Sequence, residues 1–252
     1  MIDDLKINYA VWGLSHHQTI VLLPGWGADL TIFQSVVPYL FKNYQVYVLD
    51  LPGFGKSAMP DKPLTITDYA IVITSFLRQQ HIIRPVLIGH DFGGRIIMVM
   101  TGKLGFLAEG IVLVNSTGFK TKLLLGHYYW YYLAWYFKKI ILRFKKNHQS
   151  SYLELLNKMM RVKKFNQLPI ILKKTFIKVT KEDLRQYLKY IRCPTLLLWG
   201  YHDKTNPPSD ASIMKKIIPQ ADLVILRTSG HYPYLDNLPT FLTVLTNFLN
   251  RI

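Results

Sequence analysis

Leu87-Ile88-Gly89-His90-Asp91-Phe92-Gly93-Gly94-Arg95 is the stretch that decides the fold. The apolar run Val86–Ile88 leads into Gly-x-Asp-x-Gly-Gly and then into a helix-forming run, Ile96 to Met100. Glycines two before and two after the central residue let a strand turn sharply into a helix without a clash. The central side chain, Asp91, then projects above the sheet. The N–H of Phe92, at the start of the new helix, faces negative charge that develops there. An aspartate at a helix start is also an ordinary N-cap, so the surroundings carry the decision.

Outward from this stretch, short apolar runs recur. Ile20–Leu23, Val46–Leu49, Val86–Ile88, Ile111–Val114, Thr195–Trp199 and Leu223–Leu226 read as buried strands. They are continuous rather than alternating, as parallel strands covered on both faces require. Helical patterns lie between them. Ile66, Tyr69, Ala70, Ile73 and Leu77 form one stripe within Ile66 to Gln80, with Thr65 or Thr67 as its cap. Ser209 to Ile218 and Pro239 to Asn250 read as two more helices, the second entered through a proline. Strand–helix alternation implies an α/β fold with a mostly parallel, doubly wound sheet. After Val114 no strand signal returns until Cys193-Pro194. The expected division is a core of residues 1–117 and 193–252 and an inserted helical cap of residues 118–192. An insertion there sits over the carboxyl ends of the strands, where such sheets bind ligands.

Further motifs follow the strands in order. Leu22-Leu23-Pro24-Gly25-Trp26-Gly27 comes after the first, and Asp50-Leu51-Pro52-Gly53-Phe54-Gly55-Lys56-Ser57 after the second. Trp199-Gly200-Tyr201-His202-Asp203 and Ser229-Gly230-His231-Tyr232-Pro233 come after the last two. An acid that orients a histidine belongs at Asp203 and the base at His231, so the order along the chain is nucleophile, acid, histidine.

At these residues the chain resembles the α/β-hydrolase superfamily over essentially its whole length. Its Pro-Gly-Trp-Gly and Asp-Leu-Pro-Gly-Phe-Gly-Lys-Ser stretches resemble small bacterial esterase-like members, most of which carry Gly-His-Ser-Phe-Gly-Gly at the elbow. Gly89-His90-Asp91 instead resembles the epoxide hydrolase and haloalkane dehalogenase branch. That branch usually has His-Gly-x-Pro where this chain has Pro24 first and Gly27 fourth. The resemblance implies a catalytic triad of Asp91, Asp203 and His231, and an oxyanion hole made by the N–H groups of Trp26 and Phe92. It implies no cofactor.

A carboxylate at the elbow is charged at neutral pH. Toward an ester it is a poor nucleophile, because the product is a high-energy anhydride. Toward sp³ carbon bearing a leaving group it works well. The expected chemistry is therefore attack by Asp91 on an epoxide or similar alkyl electrophile, giving an alkyl-enzyme ester. His231, oriented by Asp203, then activates water to hydrolyse it. Phe92 stands where dehalogenases usually carry a halide-binding tryptophan, which favours the epoxide. Its oxygen needs an acid, and the cap offers tyrosines: Tyr128, Tyr129 and Tyr132 are the expected substrate-binding residues, with Tyr131, Tyr136 and Tyr152 nearby. The alternative is a carboxylic-ester hydrolase scaffold in which aspartate replaces the nucleophilic serine, with weak or no turnover, acting on lipid-like esters.

Charge and composition bound the rest. The chain has 252 residues and half of them are apolar, which suits one sizeable α/β domain. Its net charge is +16, and residues 118–192 hold 18 Lys and Arg against 3 Asp and Glu. The expected partner is a small apolar substrate, with weak contact between this basic segment and an anionic membrane surface. Nucleic acid is not expected, since no zinc-ligand spacing, RNA-binding signature or basic zipper is present. No metal cluster or phosphate-binding loop appears, and one cysteine, Cys193, excludes an internal disulfide. The segment Met1 to Ala10 lacks the basic-then-apolar order of a secretory signal, so a cytoplasmic location is expected. His90, His202 and Asp50 read as structural, and Arg95 as a helix-surface residue.

Overall fold

The computed structural model describes residues 5–120 and 167–252. The chain divides into two compact units, Met1–Phe119 with Glu182–Ile252, and Lys120–Lys181.

The first unit is built on one seven-stranded sheet. Its strands are β1 (Tyr9–Trp12), β2 (Thr19–Leu23), β3 (Gln45–Leu49), β4 (Val86–His90), β5 (Gly110–Val114), β6 (Thr195–Gly200) and β7 (Ala221–Leu226). The order across the sheet is β1-β3-β2-β4-β5-β6-β7. Only β1 runs antiparallel to its neighbour, pairing Tyr9 with Leu49 and Trp12 with Val46. The remaining ladders are parallel. Every residue of β4, β5 and β6 is buried, which is why their sequences are continuous apolar runs.

Two features depart from the sequence reading. Strand β1 is absent from it, because Tyr-Ala-Val-Trp is short and its residues are exposed or half-buried. Leu223–Leu226 is expected to be buried, yet of β7 only Leu226 is. β7 forms the far edge of the sheet, so helices cover it incompletely.

The helices of this unit are α1 (Val37–Leu40), α2 (Ile66–Gln79), α3 (Phe92–Gly102), α5 (Arg185–Leu188), α6 (Pro208–Ile217), α7 (Pro233–Asp236) and α8 (Leu238–Leu249). The helix α4 (Ile170–Lys181) belongs to the second unit. It buries Leu172, Thr175 and Val179, and Lys174, Lys178 and Lys181 are exposed. Residues 182–192, expected in the insertion, lie with the first unit. The reason is apolar burial: Leu184, Leu188 and Ile191 are each at most 1 % exposed. Among the described residues no helix is long and apolar enough to cross a membrane.

Helix α3 lies against the sheet so closely that only glycine fits at its start. A Cβ at Gly93 would fall 2.2 Å from the carbonyl oxygen of Leu23, and one at Gly89 would fall 2.5 Å from the nitrogen of Gly94. This approach places the β4–α3 turn at the carboxyl edge of the sheet, where the motifs that follow β2, β6 and β7 also end.

Candidate active site

Asp91 occupies the turn between β4 and α3 with φ 48° and ψ −109°. A non-glycine residue in this region costs about 1–3 kcal/mol and persists only where its surroundings impose it. Here the backbone is held on both sides: Asp91 N–H donates to Val114 O at 3.0 Å and Arg95 N–H to Asp91 O at 3.3 Å. The strain lifts the carboxyl out of the sheet edge and away from an N-cap geometry. Asp91 stands at the N-cap position of α3, but its side chain makes no capping bond, so the carboxyl is not used to cap the helix.

The two other residues expected beside Asp91 come from the turns after β6 and β7. His231 Nδ1 lies 2.9 Å from Asp203 Oδ2. Asp203 is buried and satisfied on both oxygens. Its Oδ1 accepts from the backbone N–H of Thr205 at 2.7 Å and of Asn206 at 3.0 Å. Its Oδ2 accepts from Asn115 Nδ2 as well as from His231. Burial raises the Asp203 carboxyl, but the hydrogen bond and charge of His231 outweigh it, with help from Asn206 and Asn115, and the group sits below its ordinary range. A carboxylate kept ionised in this way holds the imidazole proton on Nδ1 and leaves Nε2 as the basic nitrogen.

Asp91 follows the same logic. Burial works to raise its carboxyl, and it is overridden first by His231, then by His90, then by hydrogen bonds from Asn206 and from the Trp26 N–H, so the net direction is down. The Trp26 N–H reaches Asp91 Oδ2 at 3.4 Å. Asn206 Nδ2 donates to Asp91 Oδ1 at 2.9 Å. Gly25 lets the loop after β2 come this near, since a Cβ there would stand 3.2 Å from Asp91 Cβ and 3.0 Å from His90 Nδ1. The Phe92 N–H, as the first of α3, is among the four that a helix leaves without an internal partner. The Phe92 ring is buried between Trp26 and Tyr69, with ring centroids 5.2 and 5.0 Å away.

Sequence reasoning missed two residues, Asn115 and Asn206. Asn115 follows β5 at φ 46°, a conformation asparagine tolerates better than most residues. Its Nδ2 also donates to Gly230 O at 3.1 Å, and its Oδ1 accepts from the Gly200 N–H at 3.0 Å. It thereby ties the turns after β6 and β7 together. The available signal was a polar residue directly after a buried strand, at the sheet edge where the other motifs end. For Asn206 the only signal is its place three residues after Asp203.

Three readings of neighbouring residues are settled by their contacts. His90 is buried, and its Nε2 lies 2.8 Å from His231 O. Burial is the chief cause that lowers it to about 4, so it is neutral at pH 7 and braces the histidine loop. Asp50 accepts from Leu30 N–H at 2.7 Å, Lys56 N–H at 2.8 Å and Asn8 Nδ2 at 2.7 Å, which is a loop-organising role. Arg95 is not on the helix surface. It is 7 % exposed and donates to the carbonyl oxygens of Thr117 at 3.0 Å, Phe119 at 3.1 Å and Glu182 at 2.7 Å. His202 is exposed. The cap tyrosines Tyr128, Tyr129 and Tyr132 lie outside the described residues. Among the described residues no three His, Cys, Asp or Glu side chains are grouped to hold a metal ion.

The comparisons with known proteins agree with this architecture. A family model described as the alpha/beta hydrolase fold matches residues 18–238. The chain is 25% identical to the uncharacterized hydrolase YugF of Bacillus subtilis, over 91% of this chain and 89% of the relative. It is 25% identical to the pimeloyl-[acyl-carrier protein] methyl ester esterase of Legionella pneumophila (strain Corby), over 91% and 94%. Among solved structures, an esterase from Exiguobacterium antarcticum superposes with TM-score 0.76 at 22% identity, covering 98% of this chain and 96% of that one. With the sheet order, the strained elbow and the order of motifs along the chain, these matches mean that the chain belongs to the α/β hydrolase fold family.

Proposed function

We propose that this hydrolase-fold chain uses Asp91 as a nucleophile toward an epoxide or similar alkyl electrophile. An Asp91 oxygen bonds to the sp³ carbon as the ring C–O bond breaks, and the freed alkoxide takes a proton from a water molecule. Water, deprotonated by His231, then attacks the Asp91 carboxyl carbon. The bond from that carbon to the substrate-bearing oxygen breaks, the departing oxygen takes the proton held by His231, and a diol leaves while Asp91 returns its carboxyl proton to solvent. Asp203 keeps His231 in the working tautomer, and the N–H groups of Trp26 and Phe92 hold the ester's carbonyl oxygen as charge builds on it. The substrate in this reading is small and apolar. The observation that carries the proposal is the state of Asp91: a carboxylate in a strained turn, kept ionised despite burial, with a donor on each oxygen.

A second reading has its own support. Relatives such as the pimeloyl-[acyl-carrier protein] methyl ester esterase of Legionella pneumophila act on esters, so the scaffold is also consistent with carboxylic-ester hydrolysis from which the serine has been lost. Intact-protein mass spectrometry separates the two. After incubation of His231→Ala with a panel of small epoxides, the expected result is a mass gain equal to the epoxide, mapping to Asp91. No adduct, together with ester hydrolysis gained by Asp91→Ser, would overturn the epoxide reading in favour of the esterase scaffold.

A further inference from the structure

A carboxylate set in a seat built for a hydroxyl has one oxygen too many. Buried without a donor, that oxygen would cost about 1–3 kcal/mol, more if charged. Here it is met by Asn206. The side-chain nitrogen of Asn206 has two protons and faces two acceptors, Asp91 Oδ1 at 2.9 Å and Asn115 O at 2.6 Å. Both neighbours are acceptors only, so the nitrogen of the amide must be the atom turned toward them. The backbone of Asn206 is anchored as firmly. Its N–H donates to Asp203 Oδ1 at 3.0 Å, and its carbonyl accepts from Trp199 Nε1 at 2.8 Å. Asn206 is 4 % exposed and Trp199 is fully buried.

We infer that Asn206 is the positioning residue for Asp91. Its amide holds Oδ1 while the Trp26 N–H holds Oδ2, which restricts the carboxylate to one plane and matches this site to aspartate rather than serine. The inference rests on reading Asp91 as the working nucleophile. One residue bridges both carboxylates, touching Asp203 through its backbone and Asp91 through its side chain. The acid that orients the histidine and the attacking group are therefore held in a fixed relation. A serine has a single oxygen at this place, so it leaves nothing for a second donor to hold beside the oxyanion seat.

A double-mutant cycle on the full chain tests this, read by urea unfolding at pH 7. The proteins are the unchanged chain, Asn206→Ala, Asp91→Ala and the double variant. Asn206→Ala is expected to lower the folding equilibrium constant about ten-fold more with Asp91 present than with alanine there. Equal losses in both backgrounds would mean that Asn206 serves only Asn115 and Asp203, and would overturn the inference. If Asn206→Ala does not fold, Asn206→Asp replaces it in the cycle. It sets a carboxylate against Asp91, and Asp91→Ala is expected to restore much of the lost stability; no such restoration overturns the inference. A second readout is the pH profile of adduct formation in the His231→Ala background. Removing Asn206 removes a donor that favours the charged form, so the acid limb should move up by about one pH unit. An unmoved limb counts against Asn206. The unfolding cycle needs no turnover, so the nucleophile reading and the Asn206 inference fail separately: absence of any adduct sinks the former, absence of coupling the latter.

Discussion

His90 lies next to the proposed nucleophile and titrates differently in the folded and unfolded chain. Burial lowers it from 6.5 to about 4, against the pull of Asp91. Between those pH values the unfolded chain holds a proton that the folded chain does not. Its contribution is therefore fully present above about 6.5 and is lost as pH falls toward about 4, an effect on the order of 3 kcal/mol. Asp91 and Asp203 have folded values below 3.8, so their contribution persists above that pH and is lost only in stronger acid. His90→Gln keeps a donor for His231 O without a basic nitrogen. It should flatten the dependence of the urea midpoint on pH between about 4 and 6.5, and leave the loss below 3.8 in place. An unchanged slope in the upper window would assign the acid sensitivity to another group.

Among the elements, α2 shows how local sequence sets a boundary. Thr65 Oγ1 accepts from the Asp68 N–H at 3.1 Å, and Asp68 Oδ2 accepts from the Thr65 N–H at 2.7 Å. This reciprocal box leaves Thr67 out of the capping role. Thr65→Ala should cost about 1 kcal/mol, seen as a lower urea midpoint at unchanged slope; a neutral result would mean that the Glu182 side chain, 3.0 Å from the Ile66 N–H, suffices to start the helix. The pairing of α3 with β4 is less forgiving. Backbone atoms rather than flexible side chains surround Gly89 and Gly93, so the elbow has no room to adjust. That rigidity is the condition for holding Asp91 at positive φ.

For the molecule as a whole, Arg95 is the residue that ties distant chain together. Its guanidinium binds carbonyls of Thr117, Phe119 and Glu182, at the two places where the chain leaves and re-enters the first unit. Arg95→Met keeps the apolar stem and removes the donors. It should destabilise by about 3 kcal/mol and speed tryptic cleavage at Lys120 and Lys181, both exposed. Unchanged cleavage would mean that the Leu184 N–H to Gly118 O bond, at 2.7 Å, holds the junction by itself.

By itself the sequence determined the architecture and the order of the motifs along the chain. Continuous apolar runs name six of the seven strands, five of them because a strand covered on both faces has no polar positions to show. Gly-x-Asp-x-Gly-Gly names the elbow because close contacts at its glycines leave no room for a Cβ. Asp203 and His231 were legible from their places after the last two strands. Only the tertiary structure decided that β7 is a partly exposed edge, that residues 182–192 pack with the core, and that Arg95 is buried. The same holds for Asn115 and Asn206. Their side-chain amides act on partners 85 or more positions away. Their local sequence is that of ordinary loop asparagines, and folding alone brings their amides against the two carboxylates.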